Sequence, residues 1–149
     1  MSLARMADIE GGALVRAWID GQEHVCLKAF RVGKSHVSHF VIPLDPGPHP
    51  LTNLALVHKD PEDRVELAGN KAKLILSPPL PAVGLPDVGQ AFINDQGTYL
   101  KVRDSDSRVR PFVYVDLATG EVRVRQEHGH LTFVQWEVER KGRFFGLFG

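Results

Sequence analysis

Short runs of alternating apolar and polar residues make up most of the chain. Residues 13–19 carry an apolar side chain at every second position, and residues 36–44 and 112–117 show the same period. A period of two is typical of a β-strand with a buried face, because successive side chains point to opposite sides of the strand. A helical period of 3.6 does not extend over any long segment of the sequence. The pattern therefore predicts an all-β protein.

Four tight-turn sequences lie between these runs. They are Asp20-Gly21, Gly69-Asn70, Asp95-Gln96-Gly97 and Ala118-Thr119-Gly120. Asn, Asp and Gly adopt positive φ at the least steric cost, which two-residue hairpin turns require. We therefore predict an antiparallel sandwich or barrel of about eight to ten short strands joined by hairpins.

The final strand predicted from the pattern covers residues 131–138. Val134, Trp136 and Val138 would lie on one face, and Phe133 would lie on the other. A strand that is partly apolar on both faces is typical of the interior of a sandwich, or of a strand that meets a partner.

Length and composition predict one domain. The chain has 149 residues, of which 43% are hydrophobic and 24% are charged, values close to the average of globular proteins. We predict a flexible N-terminal segment at residues 1–12, a single β domain at 13–143 and an apolar tail at 144–149. The start of the chain lacks the apolar core of a secretory signal, and no run is long enough for a transmembrane helix. A cytoplasmic location is the expectation, and a virion location stays open.

The tail is the most unusual part of the sequence, because four of its last six residues are large and apolar. Exposed, such a segment is an apolar surface that soluble monomers avoid. It either packs on its own domain, which we favour slightly, or binds a partner or a second copy by strand addition or aromatic anchoring. The predicted partner-binding residues are Phe144, Phe145, Leu147 and Phe148.

A basic and aromatic sheet face is the second candidate site. Lysine plus arginine equal aspartate plus glutamate at 18 each, which removes the global basic excess of many nucleic-acid-binding proteins. Cations nevertheless alternate along consecutive predicted strands, interleaved with aromatic rings, and could contact phosphates and stack on bases. Five acidic residues in the same region reduce the local excess, so cross-strand ion pairs are the simpler interpretation. The residues of this face are Tyr99, Lys101, Arg103, Arg108, Arg110, Phe112, Tyr114, Arg123 and Arg125.

A metal site is the third candidate. His128 and His130 lie two apart, so on a strand both imidazoles would share a face, and Glu137 could complete the site. This pattern is similar to the first motif of the cupins, in which a His-x-His pair precedes a glutamate on a β-barrel. The glutamate here lies seven residues after His130, further than in that motif. The resemblance implies a cupin-like metal-binding protein or enzyme.

The leading functional hypothesis is a non-catalytic interaction or assembly module, as a homo-oligomer or as part of a larger complex or virion. No motif such as Gly-x-Ser-x-Gly nominates a nucleophile, so an enzyme is the less favoured class and no residue receives a catalytic role. No cofactor and no membrane partner are expected. A nucleic-acid-binding β-barrel and the cupin-like protein are the two alternatives.

Overall fold

The computed structural model describes residues 3–44, 54–81, 84–105, 107–126 and 130–140, which form three antiparallel sheets. The strands are β1 (Leu3–Arg5), β2 (Leu14–Ile19), β3 (Gln22–Val32), β4 (Val37–Pro43), β5 (Val57–Lys59), β6 (Arg64–Leu67), β7 (Ala72–Leu76), β8 (Leu80–Pro81), β9 (Ala91–Asn94), β10 (Gly97–Arg103), β11 (Phe112–Asp116), β12 (Val122–Arg123), β13 (Thr132–Val134) and β14 (Trp136–Arg140).

Two six-stranded sheets pack on each other as a sandwich. The first has the order β1-β6-β2-β3-β4-β5, the second β12-β11-β10-β9-β13-β8, and β14 and β7 form a third, two-stranded sheet. The main core combines Leu27 and Ile42 of the first sheet with Leu100 and Val115 of the second, and Trp136 of the third sheet joins it. The predicted all-β sandwich is therefore confirmed.

β3 is the most deeply buried strand of the first sheet, because residues 25–29 are all buried. Leu27 and Ala29 belong to the core between the two large sheets. Cys26 points to the opposite side, as expected from strand alternation, and lies in a second core. The first sheet is thus apolar on both faces and needs a cover on each.

The N-terminal segment supplies the second cover. Met6 and Ile9 are buried in the same cluster as Cys26, and β1 pairs with β6 at the edge of the first sheet. The sequence pattern placed residues 1–12 outside the domain, whereas the described part of this segment contributes a strand and core side chains. Its apolar positions are three apart, which matches neither strand nor long-helix spacing, so the pattern carried no signal for this packing.

Three of the four predicted hairpin turns are confirmed. Asp20 and Gly21 have φ of 51° and 81° and join β2 to β3, and the other two join β9 to β10 and β11 to β12. The Gly69-Asn70 prediction is wrong as a hairpin: β6 pairs with β1 and β2, whereas β7 pairs with β14. A short 3-10 turn, Gly69–Lys71, carries the chain between sheets there. Turn chemistry shows where a chain bends and not which strand it meets next.

The strand predicted at residues 131–138 is divided between two sheets. β13 pairs with β9 and β8 in the second sheet, and β14 pairs with β7 in the third. The change occurs at Gln135, whose carbonyl accepts a hydrogen bond from the Ser77 N–H at 2.9 Å. The two apolar faces seen in the sequence therefore belong to two successive strands in different surroundings.

A lysine lies buried under the N-terminal cover. Lys28 is 1% exposed, and its Nζ donates to the Met6 carbonyl at 2.9 Å and lies 2.8 Å from His39 Nδ1. Burial lowers the pKa of Lys28, and burial together with the nearby Lys28 and His58 lowers the pKa of His39. The site therefore favours a neutral His39 whose Nδ1 accepts a hydrogen bond.

We expect His39 to make folding sensitive to acid. Because its pKa is lowered in the folded state, its contribution to stability is complete above about pH 6.5 and is lost as the pH falls through the folded pKa. Urea unfolding across this range should show a smaller loss on acidification for His39→Gln, which keeps an acceptor for Lys28, than for the parent chain. His36→Gln, at an exposed histidine of the same hairpin, is the control. Equal pH slopes for the parent and His39→Gln would contradict the assignment.

Gly120 should be less replaceable than Gly21. Both have positive φ, at 75° and 81°, but a Cβ on Gly120 would lie 2.5 Å from the Lys28 carbonyl oxygen and from Gly12 N, whereas a Cβ on Gly21 would meet nothing within 4 Å. We expect Gly21→Ala to cost about 1 kcal/mol of unfolding free energy from φ alone. Gly120→Ala should cost about 2 kcal/mol more, because the backbone must also move apart. Urea unfolding of the two variants tests this, and equal destabilisation would contradict it.

Candidate functional site

The outer face of the second sheet carries cations and aromatic rings. The register of β10 and β11 places Lys101 opposite Tyr114 and Arg103 opposite Phe112. Opposite residues of an antiparallel pair project to the same side, so these four side chains share one face. Val102 lies between the two cations in sequence, points the other way and belongs to the main core.

A pocket of about 520 Å³, here called the basic pocket, opens on this face. The sheet forms the floor of the pocket, and the residues before β11 and after β12 form its walls. Among the lining residues that the structure describes, three are cations, two are aromatic and none is acidic. The lining residues are Lys101, Val109, Arg110, Pro111, Phe112, Tyr114, Val124 and Arg125.

Phe112 lies between two cations. Lys101 Nζ is 5.1 Å from the Phe112 ring centroid, and the Arg103 guanidinium carbon is 5.7 Å from it. Cation–π contacts at such distances contribute about 0.5–1 kcal/mol at exposed sites. Lys101 also donates to the Pro86 carbonyl at 3.0 Å, which fixes its stem across the face. Phe112 is 38% exposed, so an aromatic ring is held at the pocket surface.

An aromatic cluster lies beside the pocket on the same face of the sheet. The Phe92 ring centroid lies 5.8 Å from that of Tyr99 and 5.7 Å from that of Tyr114, the second pair being edge to face. All three side chains are buried, and Leu131 and Phe133 pack against them. Burial, with a smaller effect of Asp116, raises the pKa of Tyr99. Tyr99, predicted to lie on the exposed stacking face, does lie on that face but is buried in this cluster and is only 1% exposed.

The predicted cations differ in their surroundings. Arg123 pairs with Glu121 at 3.0 Å, a contact along the chain and not one of the cross-strand ion pairs expected for this face. Arg110 and Arg125 line the pocket and form no ion pair with a residue that the structure describes. Arg108 is exposed and does not line the pocket.

Sequence reasoning missed the apolar part of the pocket wall. Val109 is 87% exposed and Val124 is 41% exposed, and both line the basic pocket. The signal available in the sequence is that each valine stands next to arginine, as in Arg108-Val109-Arg110. An apolar residue between charges is too common on protein surfaces to mark a site by itself.

The metal hypothesis receives no support from the described residues. In residues 3–44, 54–81, 84–105, 107–126 and 130–140 no group of three or more His, Cys, Asp or Glu side chains could hold an ion. His130 is exposed, and Glu137 is exposed on β14. His128 lies outside the described residues, so the proposed set of three stays a prediction.

The predicted partner-binding residues of the tail, Phe144, Phe145, Leu147 and Phe148, also lie outside the described residues. Across the part of the chain that the structure covers, no helix has the length and apolar character to cross a bilayer.

The basic pocket is therefore the site in which the described structure brings predicted functional residues together. Comparison of the chain with protein families, with curated proteins and with solved structures finds no match to it.

Proposed function

We propose that the protein is a non-catalytic nucleic-acid-binding domain whose basic pocket binds single-stranded DNA or RNA. The observation that carries this proposal is one exposed aromatic ring, Phe112, in a pocket whose described lining holds three cations and no acidic residue. Proteins that bind single strands combine a cationic groove for phosphates with aromatic side chains on which bases stack.

The geometry favours an unpaired strand over a duplex. An exposed ring on a sheet can stack only on a base whose face is free, and bases in a duplex are already stacked on their neighbours. Arg110 and Arg125 stand on the pocket walls beside Phe112, where they can contact phosphates on either side of a stacked base. Val109 and Val124 add apolar surface for the edges of the base or sugar.

The neutral net charge of the chain predicts weak, local binding. Few phosphates would be contacted, because the described part of the chain places only three cations in the pocket lining. Each phosphate contact on a single strand contributes about 0.7 to the slope of log K against log salt. Affinity should thus fall with salt, but less steeply than for a strongly basic protein.

Phe112→Ala should weaken binding of a labelled single-stranded oligonucleotide by about 1–3 kcal/mol, the value of one base–aromatic stack. The double variant Arg110→Gln, Arg125→Gln should lower affinity at low salt and reduce the salt slope by about 1.4 if each arginine contacts one phosphate. Fluorescence anisotropy across a salt series measures both quantities.

Lys34→Gln is the matched control, because Lys34 is an exposed cation in the turn before β4 and does not line the pocket. It should leave affinity and slope unchanged. An abasic oligonucleotide of the same length should bind the parent as weakly as the normal one binds Phe112→Ala. Absence of binding even at low salt overturns the proposal. The proposal is also overturned if the abasic oligonucleotide binds the parent as tightly as the normal one does, because the pocket would then be a general polyanion site.

Assembly through the tail was the leading hypothesis from the sequence, and it stays a prediction. It requires Phe144, Phe145, Leu147 and Phe148 to be available to another chain.

A further inference from the structure

One wall of the basic pocket comes from the connection between β10 and β11, residues 104–111, here called the wall segment. Val109, Arg110 and Pro111 of this segment line the pocket. Its described residues, 104, 105 and 107–111, contribute no side chain to an apolar core. The only buried residue among them is Asp104, at 6% exposure. The wall segment is therefore anchored by a carboxylate and not by an apolar side chain.

Asp104 is held by the first sheet. Its Oδ2 accepts a hydrogen bond from Arg31 Nη2 of β3 at 2.9 Å, and the Arg31 guanidinium carbon lies 5.5 Å from the centroid of the Phe40 ring in β4. A buried carboxylate destabilises a fold unless it is paired and hydrogen-bonded. The ion pair with Arg31 meets this requirement, so the first sheet sets the position at which the wall segment begins.

Hydrogen bonds lead from Asp104 to Arg110. The Asp104 N–H donates to the Pro111 carbonyl at 2.8 Å and closes the base of the wall segment. The Asp104 carbonyl accepts from the Ser107 N–H at 3.2 Å, and the Ser107 hydroxyl oxygen accepts from the Arg110 N–H at 3.0 Å. The backbone that carries the Arg110 side chain is thus tied in two steps to the buried Asp104.

We propose that Asp104 and Ser107 are positioning residues of the basic pocket, which hold Arg110 in place for a phosphate of the bound strand. This inference rests on the proposed function. A group that is already ordered before the ligand arrives loses less conformational freedom on binding than a mobile one. Without the Arg31–Asp104 ion pair, part of the binding free energy would be used to order the wall segment.

The charge of Asp104 makes the direction of a mutational effect informative. Asp104→Asn removes a negative charge beside a site for phosphates, so electrostatics alone predicts tighter binding. A positioning role predicts weaker binding, because the neutral amide loses the ionic interaction with Arg31 that anchors the wall segment. The two explanations therefore differ in the sign of the change in affinity.

Binding of a fluorescein-labelled oligothymidylate across a salt series tests the proposal on the full chain. Asp104→Asn should lower the affinity at low salt and reduce the slope of log K against log salt by about 0.7, the value of one phosphate contact. Asp95→Asn is the matched control, because it removes an exposed carboxylate in the turn before β10, and it should not weaken binding. In an Arg110→Gln background, Asp104→Asn should not lower the affinity further, because both changes remove the same contact. Unchanged or tighter binding by Asp104→Asn would overturn the proposal.

The Ser107 hydroxyl is tested separately. Ser107→Ala removes the acceptor for the Arg110 N–H and should also weaken binding, whereas Ser107→Thr keeps a hydroxyl and should bind as the parent does. Ser105→Ala, at an exposed serine of the same segment, should leave the affinity unchanged. Equal affinities of Ser107→Ala and Ser105→Ala would contradict the role of Ser107.

Amide hydrogen exchange measured by NMR without nucleic acid separates this inference from the proposed function. Asp104→Asn and Ser107→Ala should speed exchange of the Arg110 amide, while the amide of Val102, a core residue of β10, should keep its parent rate in a folded domain. Unchanged exchange at Arg110 in both variants would overturn the inference even if the parent binds the oligonucleotide. If the parent binds no oligonucleotide, the proposed function fails, and the exchange rates still decide whether Asp104 and Ser107 hold the wall segment.

Discussion

The structure depends on one constraint, the burial of β3 on both faces. Five consecutive residues, 25–29, are removed from water, so a single partner sheet cannot complete the fold. The second sheet covers one face through Leu27 and Ala29, and the N-terminal segment covers the other through Met6. Lys28 points to the face that the N-terminal segment covers. Its amine forms hydrogen bonds with the Met6 carbonyl and His39 instead of with water.

The second sheet has the same two-sided character, and this creates the basic pocket. One side of β10 and β11 forms the main core, and the other buries Tyr99 and Tyr114 against Phe92. This apolar layer ends at Phe112, whose ring is only partly covered. Lys101 and Arg103 lie over that ring. The pocket therefore lies at the margin of a buried aromatic cluster on the same face of the sheet.

Fold class and the local hairpins could be predicted from the sequence, because strand alternation and turn chemistry are local properties. The division of residues 131–138 between two sheets at Gln135 could not, since it depends on a hydrogen bond from the distant Ser77. The basic face was predicted in outline from the alternation of Lys101 and Arg103. The burial of Tyr99 was not, because alternation assigns a residue to a face and does not show what covers that face.

A protein without net charge can still present a positive site when its acidic residues form ion pairs elsewhere. Glu23 and Glu66 form ion pairs with Arg16 on the first sheet, and further cations, Lys71 and Arg140, join them there. These carboxylates are paired with cations on the first sheet and do not line the basic pocket on the second. The balance of 18 and 18 is therefore uninformative about the potential at Phe112. A bound anion would meet the local set of charges, and every charged residue of the described pocket lining is positive.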